Sequence, residues 1–258
     1  MLWFTPKLPI SETSRDWADA SMDRLIELFG RETLDHVTVV TPTEDFFPDD
    51  WDGTDAALEP LFQRVCGYMG VLRNRIDLVV FENETMELEK VLADLLPQRR
   101  WGLNAPAGQY LSTPAEDMTT EQQDGFIIRI DRAKLSNLST TIAILAHELG
   151  HVRLLGDGKI ERDEPNMEPL TDLITVFLGM GIFTANSAEK FEQHSGGGRQ
   201  GWSMQRLGYL PQPVFGYALA KFADLRGERK PAWTKHLVLN VREYCTQSLR
   251  VLHSEKRY

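Results

Sequence analysis

The chain has 258 residues and a formal net charge of −10. That is long enough for one large domain or for two small lobes around a shared cleft, and the acidic balance argues against broad binding to nucleic acid or to an anionic membrane. Its two cysteines, Cys66 and Cys245, lie far apart, which argues against a disulfide framework or a Cys-based zinc site. No apolar run has the length of a membrane span, and the stretch from Met1 to Ile10 has too short an apolar core for a secretory signal. A cytoplasmic protein is the simplest expectation.

Residues 1–15 read as an irregular, proline-containing arm. Trp17 to Phe29 carries apolar residues at helical period, with Gly30 as its stop. His36 to Thr41 is short and β-rich and reads as a strand. Pro42 to Asp55 mixes acids with Phe46, Phe47 and Trp51. Its acids lack the Asp-x-Asp-x-Asp-Gly spacing of a calcium loop, so it reads as a solvated loop with aromatic anchors. Asp55 to Met69 reads as a helix, Ile76 to Phe81 as a strand, and Thr85 to Leu96 as a helix stopped by Pro97. Gln109 to Ser112 is a candidate short strand and Phe126 to Asp131 a clear one. A helix follows, capped by Ser136 or Asn137. Beyond residue 132 no strand is expected. Pro165-Asn166 starts a helix running to about Phe183, Ser195 to Gly201 is a glycine-rich connector, and Trp202–Gly208, Val214–Arg226 and Trp233–Leu252 read as helices. The expectation is an α+β fold: residues 1–155 form a lobe with a small mixed sheet, residues 156–258 a helical lobe, and the two make one structural unit with a cleft between them.

The chemistry centres on Ala146-His147-Glu148-Leu149-Gly150-His151, on the helix between the lobes. Histidines four apart on a helix share a face one turn apart. Two imidazoles so placed can hold one Zn²⁺, and Glu148 between them can act as general base on a zinc-bound water. Leu138, Ile142, Leu145, Leu149, Val152 and Leu155 make the helix apolar at the same period, so the site is shielded from bulk water. Catalytic zinc needs a third protein ligand and keeps a fourth position for water. His36, His194, His236 and His253 have no motif context. Two acids compete, Asp157 and Glu168. Glu168 shares a helical face with Asp172, so one of that pair can bind metal while the other orients a ligand histidine.

The run His147-Glu148-x-x-His151 followed by Glu168-x-x-x-Asp172 resembles the active-site pattern of the gluzincin metallopeptidases, of which thermolysin is the familiar member. The match covers about residues 126–185. The resemblance implies a zincin-like N-terminal lobe, zinc ligands His147, His151 and Glu168, the base at Glu148, and Asp172 behind His147. It also implies an edge strand before the motif helix on which an extended peptide substrate docks, with Phe126 to Asp131 in that place. Pro169 confines Glu168 to the first turn of its helix. The metzincin pattern is the rival. It would use Asp157, but Leu154 stands where that pattern has a glycine for a sharp turn.

Hydrolysis through a tetrahedral intermediate calls for a second oxyanion donor. In proteins of this kind a Tyr or His of the C-terminal lobe fills that role. Tyr209 and Tyr217 are the first candidates, then His194 and Arg206. The expectation is a zinc-dependent peptidase cutting a protein or peptide. The alternative is a regulatory zinc-binding protein that retains the fold without turnover. The intact Glu148 favours the first, because a binding module needs no base there.

Overall fold

The computed structural model describes residues 7–82, 108–112, 125–194 and 210–256, with 108–112 and 189–194 described by backbone alone. The fold is α+β, with helices outnumbering strands.

The first helix, α1 (Glu12–Phe29), starts earlier than its apolar pattern suggests. The Ser11 side chain accepts the Ser14 N–H at 3.1 Å and caps the helix within the expected irregular arm. Ala18, Met22 and Leu25 form its buried stripe, and Gly30 at φ 90° ends it. A short helix, α2 (Arg31–His36), follows directly. The expected strand at His36 to Thr41 is not one. His36 closes α2, and the next residues run without a ladder partner among the described residues. Val40 is buried, and its N–H is satisfied by Gly179 O. These β-branched residues therefore fill core space without joining a sheet.

The acidic loop is anchored as its composition suggests. Trp51 donates its ring N–H to Leu135 O, and the Phe46 and Phe47 rings lie edge-on to Tyr68. Its acids are spread over separate partners: Asp49 pairs with Arg64, Asp55 with Arg132, and Asp52 with the Thr54 hydroxyl. Helix α3 (Asp55–Met69) is capped by Thr54 and ends at Gly70 in the left-handed region.

Among the described residues three strands form one sheet in the order β1-β3-β2: β1 (Ile76–Phe81), β2 (Gly108–Ser112) and β3 (Phe126–Asp131). β1 runs parallel to β3 and β2 antiparallel to it, so the sheet is mixed. β3 is therefore the central strand and not the expected edge, and among the described residues β2 holds the edge beside the motif helix. On β3, Phe126, Ile128 and Ile130 point into the core.

The motif helix, α4 (Leu138–His151), is capped by the Asn137 side chain, which accepts the Thr140 N–H at 2.9 Å. Every residue from Thr140 to His151 is buried. α4 packs against α3, β2, β3 and the two helices that follow it, α5 (Met167–Phe177) and α6 (Gly181–His194). The single helix expected to run from Asn166 to about Phe183 is instead this pair. Gly179 at φ 79° breaks it, at a point where a Cβ would overlap Thr38 O. The chain closes with α7 (Gln212–Leu225), a short 3₁₀ turn at Ala232–His236 where continuous helix was expected, and α8 (Leu239–Glu255). Gly216 lets α7 approach α8 closely, since a Cβ there would overlap Tyr244. One core runs from Ala18 to Leu252, so both halves of the chain share it. The expected helices at Thr85–Leu96 and Trp202–Gly208 and the connector at Ser195–Gly201 lie outside the described residues.

Candidate metal centre

His147 and His151 sit one turn apart at the C-terminal end of α4, their rings nearly perpendicular at 85° with centroids 5.0 Å apart. Glu168, in the first turn of α5, comes up to both. Its Oε2 lies 3.1 Å from His147 Nε2 and 3.5 Å from His151 Nε2. Among the described residues, this is the group of His, Cys, Asp and Glu side chains able to hold a metal ion, with one donor atom from each residue within 4.8 Å of the others. The Glu168 side chain is 44% exposed while both histidines are buried, so the cluster opens to solvent on the glutamate side.

Two features of the packing bring α5 this close. Gly150 has no side chain on the face that meets α5, and a Cβ there would come within 2.9 Å of Thr171 Cγ2 and 3.2 Å of Ile174 Cγ2. At the start of α5, Glu164 takes an ion pair from Arg24 of α1 at 2.8 Å and accepts the Asn166 N–H at 3.3 Å. This ties the entry to the Glu168 helix against α1. A glycine inside a helix costs about 1 kcal/mol relative to alanine. Its presence between Leu149 and His151 is thus a sequence signal of close packing that periodicity alone passes over.

Both imidazoles are held from behind. His147 Nδ1 lies 2.8 Å from Asp172 Oδ1, and the other oxygen of that carboxyl accepts the Leu210 N–H at 2.7 Å. An imidazole is a better base than a carboxylate, so the proton shared with Asp172 sits on Nδ1, and Nε2 is the ring nitrogen that faces Glu168. His151 Nδ1 lies 3.2 Å from the Thr171 hydroxyl. Thr171 and Leu210 are the partners that reading the sequence did not find. Thr171 is the immediate neighbour of Asp172, but nothing in its spacing distinguishes it from a packing residue.

Burial raises the Glu148 carboxyl above the ordinary glutamate range, against the opposing pull of the two imidazoles. Its carboxylate receives no hydrogen bond among the described residues. Burial also raises Asp172, with His147 and the Leu210 N–H acting the other way. Burial alone would raise Glu168 too, but His147 and His151 outweigh it and hold that carboxyl well below the usual range.

Two imidazole nitrogens and a carboxylate oxygen are a donor set that could hold a metal ion. Asp157 is elsewhere: its carboxylate pairs with Arg75 at 3.2 Å and with Arg153 at 3.4 Å beyond the end of the motif helix. Tyr217 is not brought to the cluster. It is fully buried, and its hydroxyl donates to Asp19 of α1 at 2.8 Å, which leaves its proton unavailable to an oxyanion. Tyr209 and Arg206 lie outside the described residues, as does the side chain of His194. Comparison with protein-family models, with curated proteins and with solved structures finds no match for this chain.

Proposed function

We propose that this chain is a zinc-dependent metallopeptidase of the gluzincin kind, a cytosolic hydrolase built on a zincin-like fold and acting on a peptide or protein substrate. The observation that carries the reading is the approach of Glu168 to both Nε2 atoms, with the buried Glu148 carboxylate between the two histidines in the chain. His147, His151 and Glu168 would hold the ion, and zinc, when bound, supplies Lewis acidity to the scissile carbonyl and to water. Glu148 takes a proton from the attacking water on its carboxylate and returns it to the departing amine nitrogen. Its burial suits that task, because a base with a raised pKa both accepts and releases a proton more readily near neutral pH. Asp172 keeps the His147 proton on Nδ1. β2, at the sheet edge among the described residues and beside the motif helix, would offer backbone groups that an extended peptide can pair with. Among the described residues no helix is long and apolar enough to cross a membrane.

The test has two arms. Metal analysis of purified protein is expected to give one zinc per chain, lost in Glu168→Ala and kept in Asp157→Ala. Incubation with unfolded proteins and cell lysate, read by mass spectrometry for new termini, is expected to show cleavage by wild type and none by Glu148→Gln. Zinc bound without any difference in termini between those two proteins would favour the regulatory alternative.

A further inference from the structure

We infer that Thr171 is the positioning residue for His151, fixing through its hydroxyl which ring nitrogen faces the metal; the inference rests on the metal-site reading above. The hydroxyl lies 2.8 Å from Met167 O and 3.2 Å from His151 Nδ1. A hydroxyl has one proton and two lone pairs. A carbonyl oxygen can only accept, so the Thr171 proton goes to Met167 O. Toward His151 the hydroxyl can then only accept, and Nδ1 must carry the ring proton. Nε2 is then the ring nitrogen on the side of Glu168, the one that would offer its lone pair to a metal.

The orientation of the hydroxyl is itself held. Thr171 is fully buried, and its Cγ2 methyl lies over Gly150, where a Cβ would come within 2.9 Å of it. Packing the methyl against the glycine turns the hydroxyl toward His151 and the Met167 carbonyl. A β-branched side chain has few χ1 choices on a helix, and here the glycine selects among them. Thr171 and Asp172 are adjacent on α5, yet each stands behind a different histidine. His147 is backed by a carboxyl and His151 by a neutral hydroxyl, so the two imidazoles are unequal donors. The residue after Gly150 is a ligand, and the residue facing Gly150 sets that ligand's tautomer.

The experiment compares wild type, Thr171→Val and Thr171→Ser. Valine keeps the branched shape and removes the acceptor, while serine keeps the acceptor and removes the methyl. Zinc affinity is read by competition with a chromophoric chelator. The His151 tautomer is read in zinc-free protein by two-dimensional ¹H–¹⁵N correlation of the imidazole ring. Thr171→Val is expected to bind zinc roughly ten- to a hundredfold more weakly, the scale for losing a group that orients a ligand histidine. The His151 proton is expected to move from Nδ1 toward Nε2, where Glu168 accepts it, and Thr171→Ser is expected to restore both. The inference is overturned if Thr171→Val keeps the wild-type tautomer, whatever its affinity, or if serine fails to rescue. If valine prevents folding, wild type alone decides: a His151 Nδ1 without a proton in the zinc-free protein would sink the assignment. If wild type binds no zinc, the peptidase reading fails, and the tautomer spectra still decide the role of Thr171.

Discussion

Asp172 and Leu210 are joined by a hydrogen bond of 2.7 Å from a backbone N–H to a carboxyl oxygen whose twin holds His147. One buried acid thus orients His147 and also anchors the chain just before α7. Replacing it removes two acceptor roles at once. Asp172→Ala is expected to weaken zinc binding roughly ten- to a hundredfold. It is also expected to cost about 1–3 kcal/mol in the zinc-free protein, where the buried Leu210 N–H loses its partner. Chelator competition and urea unfolding without zinc separate the two effects.

Gly150→Ala tests whether the close approach of α4 to α5 is needed. Alanine is the better helix former, so an isolated helix would gain from the change. In the folded protein the added methyl would meet Thr171 and Ile174, and overpacking of this kind costs roughly 1–3 kcal/mol. The expected result is a protein that still folds, melts at a lower temperature, and binds zinc more weakly because Glu168 and Thr171 are pushed back together. A variant with wild-type melting and wild-type affinity would show that α5 moves aside freely.

Glu148→Gln separates chemistry from stability. The Glu148 carboxylate is buried, takes no hydrogen bond among the described residues, and has a pKa raised by burial. A carboxyl whose folded pKa lies above its unfolded one destabilises the fold wherever it is ionised. Glutamine has nearly the same shape and no charge. The zinc-free variant is therefore expected to melt above wild type at neutral pH while hydrolysis is lost. A lower melting temperature, measured by calorimetry, would mean that the ionised carboxylate is stabilised in place.

The two tyrosines give opposite expectations. Tyr217→Phe removes the hydroxyl that donates to Asp19. A hydrogen bond to a charged group is worth about 1.5–3 kcal/mol, so stability is expected to fall by that scale with turnover unchanged. Tyr209 directly precedes Leu210, whose N–H is tied to Asp172. Tyr209→Phe is expected to keep zinc and stability and to lower kcat roughly a hundredfold, the scale for one lost oxyanion donor. Steady-state kinetics beside unfolding curves for both variants check the pair, and a kcat loss in Tyr217→Phe would reverse the assignment.

What the sequence shows and what it hides divide along the range of the interactions. The motif helix is legible because its apolar period, its cap at Ser136 or Asn137 and its histidine spacing are all local. The strands at Ile76–Phe81 and Phe126–Asp131 are legible from short runs of β-branched residues. The order of the strands is not. Phe126 to Asp131 looks like an edge from its place before the helix, yet pairing from both sides makes it central. His36 to Thr41 has strand composition, but Val40 finds its backbone partner in the turn at Gly179 and not in a ladder. That turn was hidden as well, because a glycine near Phe183 reads equally as a helix end or as a break between two helices. Thr171 is the clearest case. Its role depends on where one methyl is pressed, and the glycine that presses it lies on another helix.

The motif helix does not stop cleanly at His151. From Val152 to Gly156 the chain makes a wider turn, and Asp157 N–H reaches back to Val152 O at 3.2 Å, across five residues instead of four. An ordinary helix advances 100° per residue, so the widened turn absorbs one residue without a matching rotation. Gly156 then faces the Phe126 ring, where a Cβ would overlap it. The extra residue acts as a phase shifter. Upstream, the helix sets two imidazoles toward Glu168. Downstream, it meets an aromatic ring on the central strand. The slack residue lies between the two, so the turn that meets the ring is set apart in phase from the turn that carries the imidazoles.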